Sequence, residues 1–153
     1  MVRIATIEDL PRVNELRQQV NDLHVAGRPH HFKAGFPEEL QEHAKVYLEE
    51  NHDILVAERE GVICGFACVS YVERAETPYS YARRYYEIEE FGVDPAYHRQ
   101  GVATELFAYM KEEARTRDFE RIELNMWEFN ASALAFYEAM GMKTYRRYLE
   151  LEL

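Results

Sequence analysis

The sequence predicts an α/β or α+β fold, organised as a single domain over residues 1–153 around a mixed sheet. Segments of alternating or β-branched residues, typical of strands, are interleaved with segments whose apolar residues recur every three or four positions, as in amphipathic helices. The length of 153 residues suits one domain with a sizeable core. Hydrophobic residues account for 47% and charged residues for 30%, which is typical of a globular protein.

The first half of the chain predicts two helices and three strands. Thr6 and Asp9 have the spacing of a capping box, and Pro11 fits only the first turn of the helix that follows. Glu60–Gly61 separates two β-branched segments, which is typical of a hairpin turn. In order, the predicted elements are a strand at 2–6, a helix with apolar residues from 10 to 23, a link at 24–37, a helix at 38–50, and strands at 53–59 and 62–72.

The second half predicts three strands and two helices. A polar link around Thr77 and Pro78 precedes the next strand, and Gly141 is placed to end the shorter helix. The alternation YLELEL near the end suits pairing within the sheet or across the two-fold axis of a homodimer. In order, the predicted elements are a strand at 83–93, a helix from 101, a strand at 121–127, a helix at 131–140 and a final strand at 148–153.

Composition argues against several classes of function. The formal net charge of −10 disfavours a nucleic-acid surface, because phosphates require a clustered basic patch. No apolar run approaches the ~18 residues of a membrane-spanning helix, and the first residues lack the apolar stretch of a signal peptide. We therefore expect a cytoplasmic protein without membrane contact. Cys64 and Cys68 suit buried free thiols, and the adjacent His30 and His31 lack completing ligands, so no metal is expected.

Residues 97–110, YHRQGVATELFAYM, place Gly101 between an extended segment and an amphipathic helix. A helix N-terminus offers about four unpaired N–H groups and roughly half a unit of positive charge, so it can hold a phosphate that the backbone can approach. Arg99 and the Thr104 hydroxyl can add hydrogen bonds, and Ala103 is small enough not to block the approach. The segment lacks the patterns of a P-loop and of a dinucleotide fingerprint, so the residues alone predict an anion-binding turn.

Two segments taken together resemble the GNAT family of N-acetyltransferases. FGVDPAYHRQGVATELF is similar to the family's hydrophobic-x-Val-x-Pro and Gln/Arg-x-x-Gly-x-Gly/Ala patterns, and NASALAFYEAMGM to its Asn…Ala…Phe-Tyr…Gly-Phe segment. The resemblance covers roughly residues 53–145. It implies the GNAT fold, a central mixed, mostly antiparallel, splayed sheet flanked by helices on both faces. It also implies an acetyl-CoA-dependent N-acetyltransferase in which the amine attacks the thioester directly in a ternary complex.

By this resemblance, the turn at Gly101 and the strand ending at Val93 bind acetyl-CoA. The turn would hold the pyrophosphate, and the strand would pair its exposed backbone with the pantetheine arm. The family's Gln/Arg position three residues before Gly101 is His98 here, which shifts more of the phosphate contact to Arg99. The residues that the resemblance assigns to acetyl-CoA binding are Phe91, Gly92, Val93, His98, Arg99, Gln100, Gly101, Val102, Ala103, Thr104, Asn130, Ala133, Phe136 and Tyr137.

Acetyl transfer to an amine requires an acid and a base but no covalent nucleophile. The amine must lose a proton, the carbonyl oxygen must be stabilised, and the leaving thiolate must be protonated. The resemblance places Tyr137 near the sulfur as the general acid. It also makes Glu87 the nearest match to a glutamate base, acting directly or through water, with Glu89 and Glu90 as alternatives.

Alternation along the strand at 83–93 assigns faces to these glutamates. Glu87 and Glu89 share the parity of Phe91, whereas Glu90 lies on the other face unless a bulge turns it. We expect such a bulge near Phe91, made easy by Gly92, where it would present backbone N–H groups to the carbonyl oxygen.

The acceptor side is expected to be built by the first two helices and the link at 24–37. His24, Arg28, His30, His31 and Phe32 in that link can line an amine pocket or form an ordinary surface loop. The length of the link favours a small primary amine over the open groove that a protein N-terminus or a lysine would need. A non-catalytic acyl-CoA-binding sensor is the alternative from a different class.

Overall fold

The computed structural model describes residues 1–153 as a five-stranded sheet with four α-helices. The strands are β1 (Val2–Ile4), β2 (His52–Arg59), β3 (Val62–Arg74), β4 (Arg83–Val93) and β5 (Ile122–Glu123). The helices are α1 (Leu10–Gly27), α2 (Glu38–His43), α3 (Val102–Thr116) and α4 (Ala131–Ala139), with short 3-10 helices at Ile7–Asp9, Ala44–Leu48 and Pro95–Tyr97. None of the helices combines the length and the apolar character that crossing a bilayer requires.

The strands follow one another across the sheet in chain order, β1-β2-β3-β4-β5. The first three pairs are antiparallel and the pair of β4 with β5 is parallel, so the mixed, mostly antiparallel sheet is confirmed. The predicted hairpin turn joins β2 and β3. Glu60 and Gly61 both have positive φ, 51° and 79°, as a two-residue type I′ turn requires.

Helices cover both faces of the sheet, as predicted. Consecutive residues of a strand point to opposite faces, so Ile54 and Leu55 of β2 belong to two different cores. Ile54 shares its core with Leu16 of α1, whereas Leu55 shares the other core with Leu106 of α3 and Tyr137 of α4. Each core contains fully buried aliphatic side chains, and their burial holds the helices to the sheet.

β4 and β5 pair over two residues each and then separate. Their ladder ends at Glu87 and Glu123. The segment 124–127 belongs to no strand, although β4 continues to Val93 with β3 as its neighbour. The edge of β4 beyond Glu87 therefore keeps free backbone N–H and C=O groups, and the predicted splay is confirmed.

Two strand predictions are wrong. The strand predicted at 121–127 is limited to Ile122–Glu123, and the strand predicted at 148–153 does not form, because residues 143–153 lie in no helix or strand. A strand requires a neighbouring backbone, and neither segment has one once β4 and β5 have separated. The alternation YLELEL specifies which side chains share a face, and it does not supply that neighbour.

Smaller differences concern the helices of the first half. The second helix, predicted at 38–50, is α2 followed by the 3-10 helix Ala44–Leu48. α1 extends to Gly27, because the Arg28 N–H still donates to the His24 carbonyl, and this shortens the predicted link to 28–37. Cys64 and Cys68 are free and buried, as predicted.

A largely buried ion pair joins α1 to β4. The Arg17 side chain is only 4% exposed, and it donates to both carboxylate oxygens of Glu90, at 2.6 and 3.0 Å. The same guanidinium donates to the Leu40 carbonyl of α2 at 2.8 Å. Because an unpaired charge at this depth is costly, the pair fixes both helices against the sheet.

We expect Arg17→Ala to lower the free energy of unfolding by about 3 kcal/mol, because Glu90 loses its partner. Lys45→Ala is the matched control: it removes the exposed pair of Lys45 with Glu42 and should cost less than about 0.5 kcal/mol. Urea denaturation at neutral pH, followed by circular dichroism, measures both. Equal losses would show that the Arg17 pair contributes no more than a surface pair.

Candidate active site

The loop between β4 and α3, residues 98–104, is called the α3 cradle here, and from residue 99 onward its backbone N–H groups are unpaired. The first intrahelical bond runs from the Glu105 N–H to the Gly101 carbonyl, at 2.9 Å. The N–H groups of residues 99–104 donate to no backbone carbonyl. Together with the macrodipole of α3, they create a positive potential at this end of the helix.

Two cradle residues adopt the left-handed backbone conformation. Gly101 has φ 77° and Arg99 has φ 63°. No heavy atom lies within 4 Å of where a Cβ of Gly101 would be, so the positive φ, rather than crowding, requires glycine there. In Arg99 the same conformation costs about 1–3 kcal/mol, and such strain is typical of ligand-binding turns. Left-handed residues within a turn direct successive N–H groups towards one point, as in anion-binding nests.

His98 connects the cradle to the end of β4. Its ring Nε2 lies 3.1 Å from the Val93 carbonyl oxygen, so one ring nitrogen is engaged within the protein. Arg99 is exposed and makes no ion pair, which leaves its guanidinium free for an anion. Of the other cradle residues, Gln100, Gly101 and Thr104 are exposed, Ala103 is half-buried and Val102 is buried.

Three aromatic side chains meet where β4 faces α4. Phe91 of β4 stacks on Phe136 with ring centroids 5.8 Å apart, and it lies 6.1 Å from Tyr137. Phe107 of α3 packs edge-on against Phe136 at 6.1 Å, and Ala133 is half-buried beside them. The structure thus brings residues from the two resembling segments together next to the free edge of β4.

Tyr137 combines a buried ring with an available hydroxyl. The residue is only 9% exposed, yet its oxygen forms no hydrogen bond within the protein and is not sealed from solvent. Burial raises the pKa of Tyr137 to about 12, so the phenol keeps its proton at neutral pH. Asn130 caps α4: its Oδ1 accepts from the Ala133 N–H at 3.2 Å, and its NH₂ group takes no part in the cap.

A β-bulge interrupts β4 at Glu89, where the pairing with β3 shifts by one residue. The sequence predicted a bulge near Phe91, two residues later, and attributed it to Gly92. That attribution is wrong, because Gly92 lies in regular register. Its missing side chain is required by packing, since a Cβ there would lie 2.7 Å from the side chain of Val20.

The bulge brings three carboxylates to the face of the sheet that α1 covers. Tyr86 and Ile88 belong to the core under α3, so Glu87 between them points to the α1 face. Glu89 and Glu90 follow on the same face, where both contact residues on the α1 side. The predicted parity is therefore wrong: Phe91 packs on the α3 face, opposite Glu87, because the extra residue reverses the alternation.

Protein donors engage two of these three carboxylates. Glu90 is held by the ion pair with α1. Glu89 accepts from the Tyr47 hydroxyl at 2.5 Å and from the Ser70 hydroxyl at 2.7 Å, two residues that the sequence did not single out. Glu87 is half-buried and has no hydrogen-bond donor or ion-pair partner. Burial, with a smaller contribution from the charge of Glu89, raises the pKa of Glu87, which suits a proton acceptor near neutral pH.

Aromatic side chains gather where the link after α1 meets the segment after β5. Phe32 lies 5.1 Å from Trp127 and 5.2 Å from His24, and His31 lies 4.8 Å from Trp127. Phe129 stacks on Trp127 at 6.3 Å. Burial lowers the pKa of His24, so its ring is neutral at neutral pH.

This aromatic cluster includes residues that the sequence predicted and residues that it missed. His24, His31 and Phe32 were placed on the acceptor side, whereas His30 has no aromatic neighbour in the cluster. Trp127 and Phe129 were missed, although NMWEFN carries two aromatics directly before Asn130. The Arg28 guanidinium lies 5.0 Å from the centre of the Trp127 ring, which adds a cation–π contact to the cluster. Only the tertiary structure shows that Trp127 and Phe129 join this cluster, because about a hundred positions separate them from the link.

Comparison with known proteins identifies relatives. A family model for the acetyltransferase (GNAT) family matches residues 17–142, a range that contains both the α3 cradle and Tyr137. The uncharacterized N-acetyltransferase YjgM from Escherichia coli (strain K12) is 25% identical over 143 residues, which cover 94% of this chain and 81% of that protein.

Solved structures share the fold over the whole chain. A mutant of the BH1408 protein from Bacillus halodurans superposes with a TM-score of 0.96 at 26% identity, covering 100% of this chain and 99% of that one. The aminoglycoside N-acetyltransferase AAC(6')-Iy in complex with CoA superposes with a TM-score of 0.77 at 18% identity, covering 100% and 93%. The same enzyme, bound to a bisubstrate analog that joins CoA to monomethyl-acetylneamine, has a TM-score of 0.76 at 17% identity, covering 100% and 97%.

We expect Glu87→Gln to stabilise the protein at pH 7 and to leave its stability unchanged near pH 3.5. Because the pKa of Glu87 is raised in the folded state, folding favours the protonated carboxyl. The cost of ionising Glu87 in the folded protein is absent below the usual glutamate pKa of the unfolded chain. It appears as the pH rises from that pKa through the raised pKa of the folded state. Glutamine is neutral at every pH, so urea denaturation at the two pH values measures the difference.

Glu90→Gln is the matched control, because Glu90 lies on the same face but carries the ion pair with Arg17. That variant should be less stable than the unmodified protein at pH 7. If the stability of Glu87→Gln relative to the unmodified protein does not increase from acidic to neutral pH, Glu87 is not an unpaired, half-buried carboxylate.

Proposed function

Because the chain belongs to the GNAT family of acetyltransferases, we propose that it transfers the acetyl group of acetyl-CoA to a primary amine of a small molecule. In this proposal the amine attacks the thioester directly while both substrates are bound. A covalent acetyl-enzyme is not part of it, since Cys64 and Cys68 are fully buried within β3.

One observation carries the proposal: the free edge of β4 leads from Tyr137 to the unpaired N–H groups of the α3 cradle. Phe91, which contacts Tyr137, and Val93, which contacts the cradle through His98, lie on that edge. Acetyl-CoA has the same order of groups, with a thioester at one end, amides along the arm and a diphosphate beyond them. The edge thus offers a phenol, strand-like backbone groups and an anion site in the order that this substrate needs.

The cradle suits a diphosphate even though the protein as a whole carries a formal charge of −10. Its binding groups are peptide N–H groups of residues 99–104, which need no side-chain charge. The exposed Arg99 guanidinium and the Thr104 hydroxyl can add hydrogen bonds, with the arginine supplying charge. Acetyl-CoA bound there brings an acetyl group that is already activated as a thioester.

The residues beside the free edge of β4 can meet the three requirements of acetyl transfer: a base for the amine, donors for the carbonyl oxygen and an acid for the thiolate. Glu87 takes the proton from the attacking amine, directly or through water, and it suits this better than Glu89 and Glu90 because no donor occupies it. Backbone N–H groups beside the bulge in β4 stabilise the oxygen as it gains charge. Tyr137 donates its proton to the leaving thiolate, because its raised pKa keeps the phenol protonated until that moment.

The α1 side of the sheet supports a cationic acceptor. Glu87 and Glu89 have no cationic partner and give this face a negative potential, which attracts protonated amines and repels acidic ones, whereas Arg17 balances the charge of Glu90. The neighbouring aromatic cluster around Trp127 offers ring faces that suit an ammonium group. AAC(6')-Iy, which shares the fold, binds an analog of an acetylated small-molecule amine, and this favours a small molecule over a protein acceptor.

Calorimetric titration with CoA and with acetyl-CoA tests donor binding. We expect saturable binding in the unmodified protein and at least about tenfold weaker binding in Gly101→Val, because a β-branched residue disfavours the left-handed cradle. Gly61→Val is the matched control, since it introduces the same backbone strain in the hairpin between β2 and β3. Folded protein that shows no heat and no saturation with either ligand would refute the proposal.

Thiol release from acetyl-CoA across a panel of amines tests the reaction. We expect Tyr137→Phe to lower kcat by about 10- to 10³-fold while CoA affinity stays within about twofold, because only proton donation is lost. Tyr109→Phe, which removes a hydroxyl from α3 instead, should turn over like the unmodified protein. An unchanged kcat in Tyr137→Phe would remove Tyr137 from the general-acid role.

The same panel separates the rival functions. Peptides with a free N-terminus or a lysine should be poorer acceptors than small amines; the reverse order would point to a protein acetyltransferase. CoA binding without thiol release for any amine would point to an acyl-CoA sensor.

A further inference from the structure

Arg28 and Glu150 form a two-pronged ion pair at the end of α1. The Arg28 Nη1 atom lies 2.9 Å from Glu150 Oε1, and the Nη2 atom donates to Glu150 Oε2 at 3.0 Å. Two such bonds from one guanidinium are the geometry in which arginine recognises a carboxylate. The pair joins residues 122 positions apart in the chain, and the steps of acetyl transfer described above do not use it.

The protein holds Arg28 firmly. Its N–H donates to the His24 carbonyl. Its carbonyl accepts from the N–H groups of His31 and Phe32, at 3.0 Å each. Its guanidinium lies 5.0 Å from the centre of the Trp127 ring. A guanidinium that is stacked on a ring and fixed through its backbone loses little further freedom when it binds an anion.

Glu150 is held by little besides this ion pair. Residues 143–153 make no backbone hydrogen bond, and the Glu150 side chain is 73% exposed. The hydrogen bond and the charge of Arg28 lower the pKa of Glu150, with a smaller contribution from His31, so its carboxylate lies near two basic side chains. Arg28 is therefore the fixed partner, and the Glu150 carboxylate can leave it without disturbing either core.

A cavity of about 290 Å³ lies beside this ion pair, close to the lower end of the range for small-molecule pockets. Gly27 makes room for one of its walls, because a Cβ there would lie 2.4 Å from the Phe129 ring. Glu128 also faces the cavity, but it is exposed to solvent and pairs with no cation. The lining consists of Gly27, Arg28, Trp127, Glu128, Phe129 and Glu150.

His24 connects this cavity to the carboxylates of β4. It lies one helical turn before Arg28, so the two side chains start from the same side of α1. Its ring lies edge-on to Phe129 at 6.2 Å. Burial lowers the pKa of His24, and the negative charge of Glu90 opposes that shift, which places the ring within the field of the β4 carboxylates. Arg28 therefore lies on the acceptor side, one turn beyond a residue that senses those carboxylates.

We propose that the acceptor carries a carboxylate in addition to its amine, and that Arg28 binds this carboxylate in place of Glu150. The role of the amine rests on the proposed acetyl transfer, whereas binding of a carboxylate at Arg28 does not. The negative potential of Glu87 and Glu89 acts on the two ends of such an acceptor in opposite ways. It attracts the ammonium group and repels the carboxylate towards Arg28, so the site orients a zwitterion.

Tryptophan fluorescence measures binding at this site without turnover. Trp127 is the only tryptophan, and it contacts the Arg28 guanidinium. The probes are aminocarboxylates from glycine to 6-aminohexanoate, each with its carboxamide, titrated in the presence of CoA. We expect saturable changes with at least one aminocarboxylate and at least about tenfold weaker binding of its carboxamide, which accepts no pair of charge-assisted bonds. Equal binding of acids and amides, or no saturation with any acid, would overturn the proposal.

Two variants of the ion pair should shift that affinity in opposite directions. Arg28→Gln should weaken binding of the aminocarboxylate at least about tenfold, because the charged fork is lost. Glu150→Gln should strengthen binding at least about twofold, because it removes the carboxylate that competes for Arg28. Lys45→Ala, which breaks an exposed pair on another surface, is the control and should change nothing. Unchanged binding in Arg28→Gln, or weaker binding in Glu150→Gln, would indicate a merely structural ion pair and overturn the proposal.

Thiol release with the same acids and amides separates this inference from the proposed function. We expect Arg28→Gln to raise KM for the aminocarboxylate and to lower the ratio of kcat/KM between acid and amide about tenfold, because Arg28 binds the acceptor without moving a proton. Acetylation of small amines without preference for acids would overturn the carboxylate site and leave acetyl transfer standing. Fluorescence-detected binding of acids without acetylation of any amine would refute acetyl transfer and leave the carboxylate site standing.

Discussion

The separation of β4 from β5 after Glu87 and Glu123 is the constraint on which the rest of the molecule depends. Backbone N–H and C=O groups that lose one neighbour need another partner, whether solvent, substrate or a second chain. On β4 the freed edge runs past Phe91 to the α3 cradle, where we propose that acetyl-CoA binds. On the other side, residues 124–127 are left without a ladder. The free edge of β4 and the unpaired segment 124–127 are consequences of one separation.

The bulge at Glu89 determines which side chains of β4 lie on each face of the sheet. It places Glu87 on the α1 face and Phe91, with Tyr137, on the α3 face, so the proposed base and acid lie on opposite sides of β4. Burial raises both pKa values, and the effect is useful in each case: the carboxylate becomes a better proton acceptor and the phenol keeps a proton to donate. Glu89 and Glu90 are instead held by protein donors, and the charge of Glu90 is balanced by Arg17.

The local sequence pattern was sufficient to predict an element or turn whose stability comes from residues that are near neighbours in the chain. The four-residue spacing of Val102, Leu106 and Met110 predicted the buried face of α3, and all three are buried. Glu60–Gly61 and Gly101 predicted tight turns, and both turns have the positive φ that such residues tolerate. Even the error over Gly92 has a local origin, because a glycine in a strand suits a bulge as well as a close approach of Val20, which only packing reveals.

The amino-acid sequence by itself determined the order of the elements up to α4, the left-handed turn before α3 and the helix that carries Tyr137, because each depends on residues a few positions apart. Tertiary structure alone decided which glutamate is unpaired, since the donors that hold Glu89 lie 42 and 19 positions away in the chain. It also decided the extent of β5 and the absence of a strand at residues 143–153. A pattern of alternation assigns side chains to faces, whereas a strand exists only where a second backbone lies beside it.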